Sequence, residues 1–198
     1  TNDFGSDTLV GGFTYNTPPS ISSVAPQHGP TLGGTPITVT GSNFTTTPDT
    51  TVTFGGAPAT NVAVVNATTI TCETPAHAAG AVNVTVTNDF GSDTLVNGYT
   101  YNSPPKITTI NPNVGLMSGG TPITITGQYF TNSVDTTVTI GGNAATNVLV
   151  LNSTTLTCNT PPHPIADKVD VGVKNSNGGA TKVNGFTYLP PSGGAPQT

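Results

Sequence analysis

The chain repeats itself with a period of 86 residues, and this repetition restricts its architecture more than any other feature of the sequence. Residues 1–19 and 87–105 are identical at 16 of 19 positions. The two cysteines, Cys72 and Cys158, are also 86 residues apart, and the spacing becomes 87 only after one residue is inserted within 161–173. A period of this length is that of one small domain, so the sequence predicts a tandem array rather than one large fold.

The repeat sets the expected division of the chain. Residues 1–17 match the end of a repeat, so we expect them to form the C-terminal hairpin of a preceding domain. Complete domains are expected at 18–103 and 104–190, followed by a flexible tail or linker at 191–198. The leading hairpin has two explanations, a cut through a longer array or a strand pair donated to a neighbouring subunit. Paired prolines at the junctions favour extended backbone and predict a semi-rigid connection.

Within each repeat, apolar and polar residues alternate. In residues 37–40, Ile and Val alternate with two Thr, which places the apolar pair on one face of a strand. Turn-forming residues interrupt the pattern roughly every 8 to 12 residues, and no window has a helical period. The sequence therefore predicts an all-β fold of tandem sandwiches with about seven strands each. In the first complete repeat the expected strands also include Thr51–Phe54, Asn61–Val65, Thr69–Cys72, Ala81–Thr87 and Thr94–Tyr101.

The composition excludes several classes of function. Charged residues make up 7% of the chain, the net charge is −5, and the basic residues are four Lys with no Arg. Nucleic-acid binding needs a basic surface, as does attraction to anionic membranes, so neither is expected. No apolar stretch approaches the roughly 18 to 20 residues that span a bilayer, so no membrane insertion is expected in this segment.

A set of short motifs in each repeat points to a known family. In the first complete repeat these motifs are Gly33-Gly34-Thr35, Asn43-Phe44, Phe54-Gly55-Gly56, Thr69-Ile70-Thr71-Cys72-Glu73-Thr74-Pro75 and the closing Tyr99-Thr100-Tyr101. Together they resemble the IPT/TIG family of immunoglobulin-like domains, and the resemblance covers nearly the whole chain. It implies an immunoglobulin-like sandwich. Members of this family occur in cell-surface receptors, DNA-binding transcription factors, accessory modules of carbohydrate-active enzymes and microbial surface proteins.

Glycines and aromatics of these motifs have expected structural roles. The Gly33-Gly34 pair needs backbone freedom before a core strand. Gly41 and its counterpart Gly127 follow that strand and are expected to allow a tight bend. Phe44 and Phe130 are expected to close one end of each sandwich.

The cysteines depart from the pattern that the resemblance implies. Many animal members pair the strand cysteine with a second cysteine just after the Gly-Gly turn that precedes residue 57. Here residues 57–60 read Ala-Pro-Ala-Thr, and the corresponding residues 143–146 also lack cysteine. We therefore expect Cys72 and Cys158 to be free thiols. This departure favours a microbial surface protein over an animal receptor ectodomain.

The sequence supports no catalytic or metal site, and no cofactor is expected. His28, His77 and His163 have no cysteine or carboxylate at ligand spacing, and no Ser-His-Asp arrangement is evident. The triplet Asp-Phe-Gly at 89–91 is interpreted as a turn between the last two strands. Asp89 with Asp93 is a weak calcium candidate between domains, with turn chemistry as the alternative, because calcium prefers six or more oxygen ligands.

Two further residue classes are candidates for surface function. Asn43, Asn66, Asn83 and Asn152 each begin an N-glycosylation sequon, a pattern that also arises by chance in a chain rich in Asn and Thr. Carbohydrate binding usually requires exposed aromatic rings. The closing-strand tyrosines Tyr15, Tyr101 and Tyr188 are expected to pack in the core, which leaves Tyr129 as the candidate exposed ring.

These observations favour a structural stalk, fibre or adhesion segment of an extracellular multi-repeat surface protein, located outside the cell or at its surface. The expected partners are neighbouring copies of the repeat, with a protein or glycan ligand as a further candidate. Few charges protect the strand edges, so edge-to-edge assembly is expected. The alternative is a carbohydrate-binding accessory module of a secreted enzyme.

Overall fold

The computed structural model describes residues 16–46 and 49–191, and every regular element in them is a β-strand. The predicted hairpin at the N-terminus, with Tyr15, lies outside these residues apart from 16 and 17, as does nearly all of the predicted tail. No helix long and apolar enough to cross a membrane occurs in the described part of the chain.

The first nine strands form two sheets, which together make the first repeat. One sheet has the order β1-β3-β7-β6 and the other β2-β9-β8-β4-β5. The strands are β1 (Ser20–Ala25), β2 (His28–Pro30), β3 (Pro36–Ser42), β4 (Thr51–Phe54), β5 (Ala57–Pro58), β6 (Thr60–Asn66), β7 (Thr69–Glu73), β8 (Gly80–Asn88) and β9 (Gly91–Asn102).

The second repeat has the same topology. Its sheets have the orders β10-β12-β16-β15 and β11-β18-β17-β13-β14. The strands are β10 (Lys106–Asn111), β11 (Val114–Leu116), β12 (Pro122–Gln128), β13 (Thr137–Ile140), β14 (Asn143–Ala144), β15 (Thr146–Asn152), β16 (Thr155–Asn159), β17 (Lys168–Asn175) and β18 (Gly178–Leu189).

The all-β prediction is confirmed, and so are the five strands predicted after residue 50. Four of them agree with the structure to within one residue at each end, whereas β9 begins at Gly91, three residues before the predicted start. Each repeat has nine strands rather than seven, because β2 and β5, with their counterparts β11 and β14, are only two or three residues long. Such short strands carry too few alternating residues to leave a period in the sequence. The turn interpretation of residues 89–91 is also confirmed, since β8 ends at Asn88 and β9 begins at Gly91.

The alternating residues build the core as expected. Ile37 and Val39 of β3 are at most 2% exposed, whereas Thr38 and Thr40 between and after them lie on the outer face. In the second repeat, residues from both sheets share one hydrophobic cluster, which is how two sheets with apolar inner faces form a sandwich. Its fully buried members include Ile125, Ile140, Leu156, Val171 and Phe186.

The expected role of Gly41 and Gly127 is wrong. Neither residue has a positive φ, and both lie within strands, in β3 and β12. A Cβ atom at Gly41 would overlap the carbonyl oxygen of Ser20 and approach Phe44 Cζ to 2.5 Å. Gly127 is in the same position against the backbone of Lys106. These glycines are needed for the close approach of a neighbouring strand and a buried ring, not for a bend.

The prediction for the glycine pair is confirmed and both phenylalanines are buried, whereas their place at one end of each sandwich stays a prediction. Gly33 and Gly34 have φ values of 74° and 75°, a region that side chains disfavour. Phe44 is 5% exposed and Phe130 is 3% exposed.

Candidate functional site

Two of the three histidines, His77 and His163, take part in ring stacking. His77 stacks on Tyr101 with ring centroids 5.1 Å apart, and His163 stacks on Tyr188 at 4.8 Å. Tyr188 also donates its hydroxyl hydrogen to the carbonyl oxygen of Pro161 at 2.7 Å. Within the described ranges, no three His, Cys, Asp or Glu side chains cluster closely enough to hold a metal ion.

Asp93, one of the two calcium candidates, instead joins two strands of the first repeat. Its carboxylate accepts hydrogen bonds from the backbone N–H of Ile21 at 2.7 Å and of Thr94 at 2.8 Å. These bonds stabilise the charged form and lower the pKa of Asp93 below its ordinary value. One carboxylate oxygen of Asp93 thus connects β9 with β1, and the other binds the backbone of β9 itself.

Both cysteines face the core. Cys72 is 4% exposed and Cys158 is 2% exposed, and each is a free thiol. Burial raises the pKa of both thiols to about 12, so neither forms a reactive thiolate near neutral pH.

The closing-strand tyrosines within the described residues, Tyr101 and Tyr188, also pack as predicted. Tyr101 and Tyr188 are each 1% exposed, whereas Tyr129 is 50% exposed. An outward-facing groove of about 260 Å³ lies on the second repeat above Gly172, where the missing side chain leaves space between Thr139 and Thr181. No aromatic side chain lines this groove, so it lacks the stacking surface typical of sugar sites.

Two of the four sequons have asparagines that are committed to the fold. Asn43 has a positive φ of 59°, and its Nδ2 donates to the carbonyl oxygen of Pro18 at 3.0 Å. Asn83 lies in β8, between β9 and β4, and its Oδ1 accepts the backbone N–H of Asn97 at 2.9 Å. Asp170 makes the same bond to Asn184 in the second repeat, so position 83 is occupied by an acceptor for structural reasons.

Asn66 and Asn152 are placed differently, at the tips of the equivalent hairpins β6–β7 and β15–β16. Asn66 Oδ1 accepts hydrogen bonds from both the backbone N–H and the hydroxyl of Thr68, at 2.9 and 2.8 Å. Asn152 Oδ1 accepts the same two bonds from Thr154, at the same distances. All three residues of each sequon are exposed.

A pair of buried asparagines was not singled out from the sequence. Asn88 Nδ2 donates to the carbonyl oxygen of residue 43, and its Oδ1 accepts the N–H of Phe90. Asn175 makes the same contacts in the second repeat, with Tyr129 and Asn177. Each holds a residue of positive φ in place. The signal in the sequence that could have indicated this role is an Asn at the end of the same strand in both repeats.

The edge strands of the two sheets in the second repeat differ in how well they are protected from pairing with another chain. β11 and β14 are too short to pair extensively. The β10 edge is crossed by Lys182, whose Nζ donates to the carbonyl oxygen of Thr108 at 3.0 Å. β15, by contrast, has seven residues and no charge, and its outer face carries Leu149 and Leu151, which are 52% and 57% exposed.

Comparison with known proteins identifies this architecture. The family model described as the IPT/TIG domain matches residues 19–103 and again residues 105–188. The chain belongs to the IPT/TIG family. The two matches cover nearly the whole chain, and each coincides with one set of nine strands.

Curated relatives of this IPT/TIG chain include mouse fibrocystin-L, which is 28% identical over 92% of the chain, and zebrafish plexin A3, which is 32% identical over 72%. The chain spans only 4% and 8% of the lengths of these relatives. Both come from animals, so the comparisons give no support to the microbial origin expected from the missing cysteine partner.

Among solved structures, the extracellular region of plexin A4 aligns with 96% of the chain and 20% of its own length, at 23% identity and a TM-score of 0.49. A protein described as SGBP-B, from a xyloglucan utilization locus of Bacteroides uniformis, aligns with 86% of the chain and 49% of its own length, at 23% identity and a TM-score of 0.41. Alignments this weak support no conclusion about function.

Proposed function

We propose that this chain is a structural and adhesive segment of a longer extracellular protein. The observation that carries the proposal is the tandem family match at 19–103 and 105–188, in which the same core and the same connections are built twice. A repeated module with its polar chemistry committed to holding strands together is suited to spacing and presenting surfaces rather than to catalysis. An extracellular or cell-surface location agrees with the relatives, which include a plexin.

Antibodies raised against the two-repeat chain test the location directly. We expect them to label intact cells of the source organism without permeabilisation. Labelling that appears only after permeabilisation would show that the extracellular assignment is wrong.

The second part of the proposal is that the chain associates with copies of itself through the edge of β15. Three differences from the first repeat make β15 and its neighbour β16 more apolar and less charged: Leu149 replaces Ala63, Leu151 replaces Val65, and Asn159 replaces Glu73. As a result β12, β16 and β15 contain no charged residue at all. Two copies of this edge therefore meet without like-charge repulsion.

The sequence of β15 also suits pairing with itself. If two copies run antiparallel about Val150, Leu149 of one lies opposite Leu151 of the other on the outer face. One backbone group is already occupied, because the N–H of Val150 donates to the hydroxyl of Ser133 at 2.8 Å. The apolar contact between the leucines is thus expected to contribute most of the association.

Sedimentation velocity tests this interface. We expect the chain to self-associate as its concentration rises, and Leu149→Lys with Leu151→Lys to abolish that association through charge repulsion. The matched control is Ala63→Lys with Val65→Lys, which adds the same charges at the equivalent positions of β6 and should leave association largely intact. A wild-type chain that stays monomeric at high concentration would overturn the homotypic interface but not the extracellular assignment.

A carbohydrate-binding module remains the second candidate function, and a glycan array distinguishes it. The half-exposed ring of Tyr129 favours this candidate, whereas the groove above Gly172 has no aromatic ring. Binding of the isolated chain to a defined oligosaccharide would favour this second candidate over the adhesive segment.

A further inference from the structure

The four sequons share one sequence pattern, but the fold presents them in different ways. The nitrogen that receives a glycan is Nδ2, so the state of this atom decides whether a folded sequon is open to modification. In Asn43 the atom is hydrogen-bonded to Pro18. In Asn66, Asn83 and Asn152 the hydrogen bonds reach only Oδ1, so Asn83 differs from the other two in the burial of its neighbour Val84 and not in its amide nitrogen.

The two donors on Oδ1 have a geometric consequence. The N–H and hydroxyl of Thr68 hold Asn66 Oδ1 toward the turn, so Nδ2 on the opposite side of the planar amide points away from it. The exposure of Asn66, Ala67 and Thr68 keeps this side open to solvent. The same arrangement recurs at Asn152 through the contacts of Thr154.

The donors also have a chemical consequence. Hydrogen bonds to Oδ1 stabilise negative charge that develops on the amide oxygen, which makes loss of a proton from Nδ2 easier. An amide nitrogen is a poor nucleophile until that proton is lost. The hydroxyl of the third sequon residue therefore has an identifiable role in the folded hairpin.

In the remaining two sequons a transferase cannot reach the whole tripeptide. The middle residue after Asn43 is Phe44, which is 5% exposed, and the middle residue after Asn83 is Val84, which is fully buried. A transferase must reach all three residues at once, and in these strands the middle side chain faces the core. Neither tripeptide can leave its strand or loop without exposing a core side chain.

We propose that Asn66 and Asn152 are the two N-glycosylation sites of the folded chain, and that Asn43 and Asn83 are not. The donor is an oligosaccharide carried on a polyprenyl pyrophosphate. Nδ2 attacks the anomeric carbon, the bond from that carbon to the pyrophosphate oxygen breaks, and the carrier leaves with the electron pair. The proton from Nδ2 passes to a base of the transferase. Modification in the source organism rests on the proposed extracellular location.

The test treats the folded chain in vitro with a purified oligosaccharyltransferase and its lipid-linked donor, followed by mass spectrometry of each site. We expect glycan at Asn66 and Asn152 and a loss of one glycan mass in each of Asn66→Gln and Asn152→Gln. Asn43→Gln and Asn83→Gln should leave the mass gain unchanged. Four synthetic peptides, one for each sequon, serve as the unfolded control and should accept glycan wherever the transferase recognises the tripeptide.

Two results would overturn the proposal. One is equal modification of Asn43 or Asn83 in the folded chain. The other is an unmodified folded chain when the Asn66 and Asn152 peptides do react. The reaction requires no export from a cell, so its failure is separate from failure of the extracellular assignment. Asn152→Gln also removes any glycan at the end of β15. Self-association can therefore be measured on this variant without a glycan at the proposed interface.

Discussion

The two repeats of this chain have one backbone design but differ in the side chains that complete it. In the first repeat, Asp93 accepts the N–H of Ile21 and so ties β9 to β1. In the second repeat Ala180 stands at the position of Asp93, and Lys182 instead donates to the carbonyl oxygen of Thr108 and ties β18 to β10. An acid and a base thus perform the same task, because a strand edge offers both donors and acceptors.

The same comparison separates what the fold requires from what it tolerates. The positive φ after β3 is kept in both repeats, at 59° for Asn43 and 61° for Tyr129, although Asn suits this conformation and Tyr does not. In both cases a buried asparagine, Asn88 or Asn175, binds the carbonyl oxygen of that residue. The backbone contact is retained, and the side chain at the surface is free to vary.

The largest effect is expected at the glycines that both repeats require. Gly41→Ala and Gly127→Ala should each destabilise their own repeat by about 3 kcal/mol, because a methyl group would collide with strand backbone and a phenylalanine ring. Residue-resolved amide hydrogen exchange assigns the loss to one repeat. Gly56→Ala is the control, since no atom lies within 4 Å of its added Cβ and the cost there is backbone strain alone. Equal losses at Gly41 and Gly56 would contradict the close-packing explanation.

A smaller effect of opposite sign is expected at the position with positive φ. Tyr129→Asn should stabilise the second repeat by about 1 kcal/mol, because Asn adopts the left-handed region at lower cost. The reciprocal change, Asn43→Tyr, should destabilise the first repeat by a similar amount and also lose the bond to Pro18. Chemical denaturation followed by hydrogen exchange measures both. Destabilisation by Tyr129→Asn would mean that the exposed ring makes contacts worth more than the strain.

The smallest expected effect is the contribution of Asp93 to stability, which depends on pH. The pKa of Asp93 is lowered in the folded state, so its contribution is present above the unfolded value near 3.8 and is lost as the pH falls through the folded value. Asp93→Asn should therefore cost less than about 1 kcal/mol at neutral pH and nothing in strong acid. Asp135→Asn is the matched change in the second repeat, since the Thr131 and Ser176 bonds lower the pKa of Asp135 as well. A cost for Asp93→Asn that is the same at every pH would exclude the carboxylate as its origin.

Sequence patterns were informative where the cause is local. The alternation of Ile37 and Val39 with threonines indicated a strand with one buried face, and the structure buries that face. Sequence patterns were misleading at Gly41, where a glycine after an apolar pair suggested a bend. The contact that requires this glycine is with Ser20, a residue 21 positions earlier, and no local pattern reports it.

The sequence by itself determined the fold of this protein, because a period of 86 residues and a period of two within it reflect contacts that every copy must make. It also supplied four sequons and two acidic calcium candidates, without ranking them. Only the tertiary structure decided that Asn43 and Asp93 are held by Pro18 and Ile21, and that Asn66 and Asn152 lie at open hairpin tips. The physical reason is distance along the chain: a turn bond spans two residues, whereas the bond between Ile21 and Asp93 spans 72.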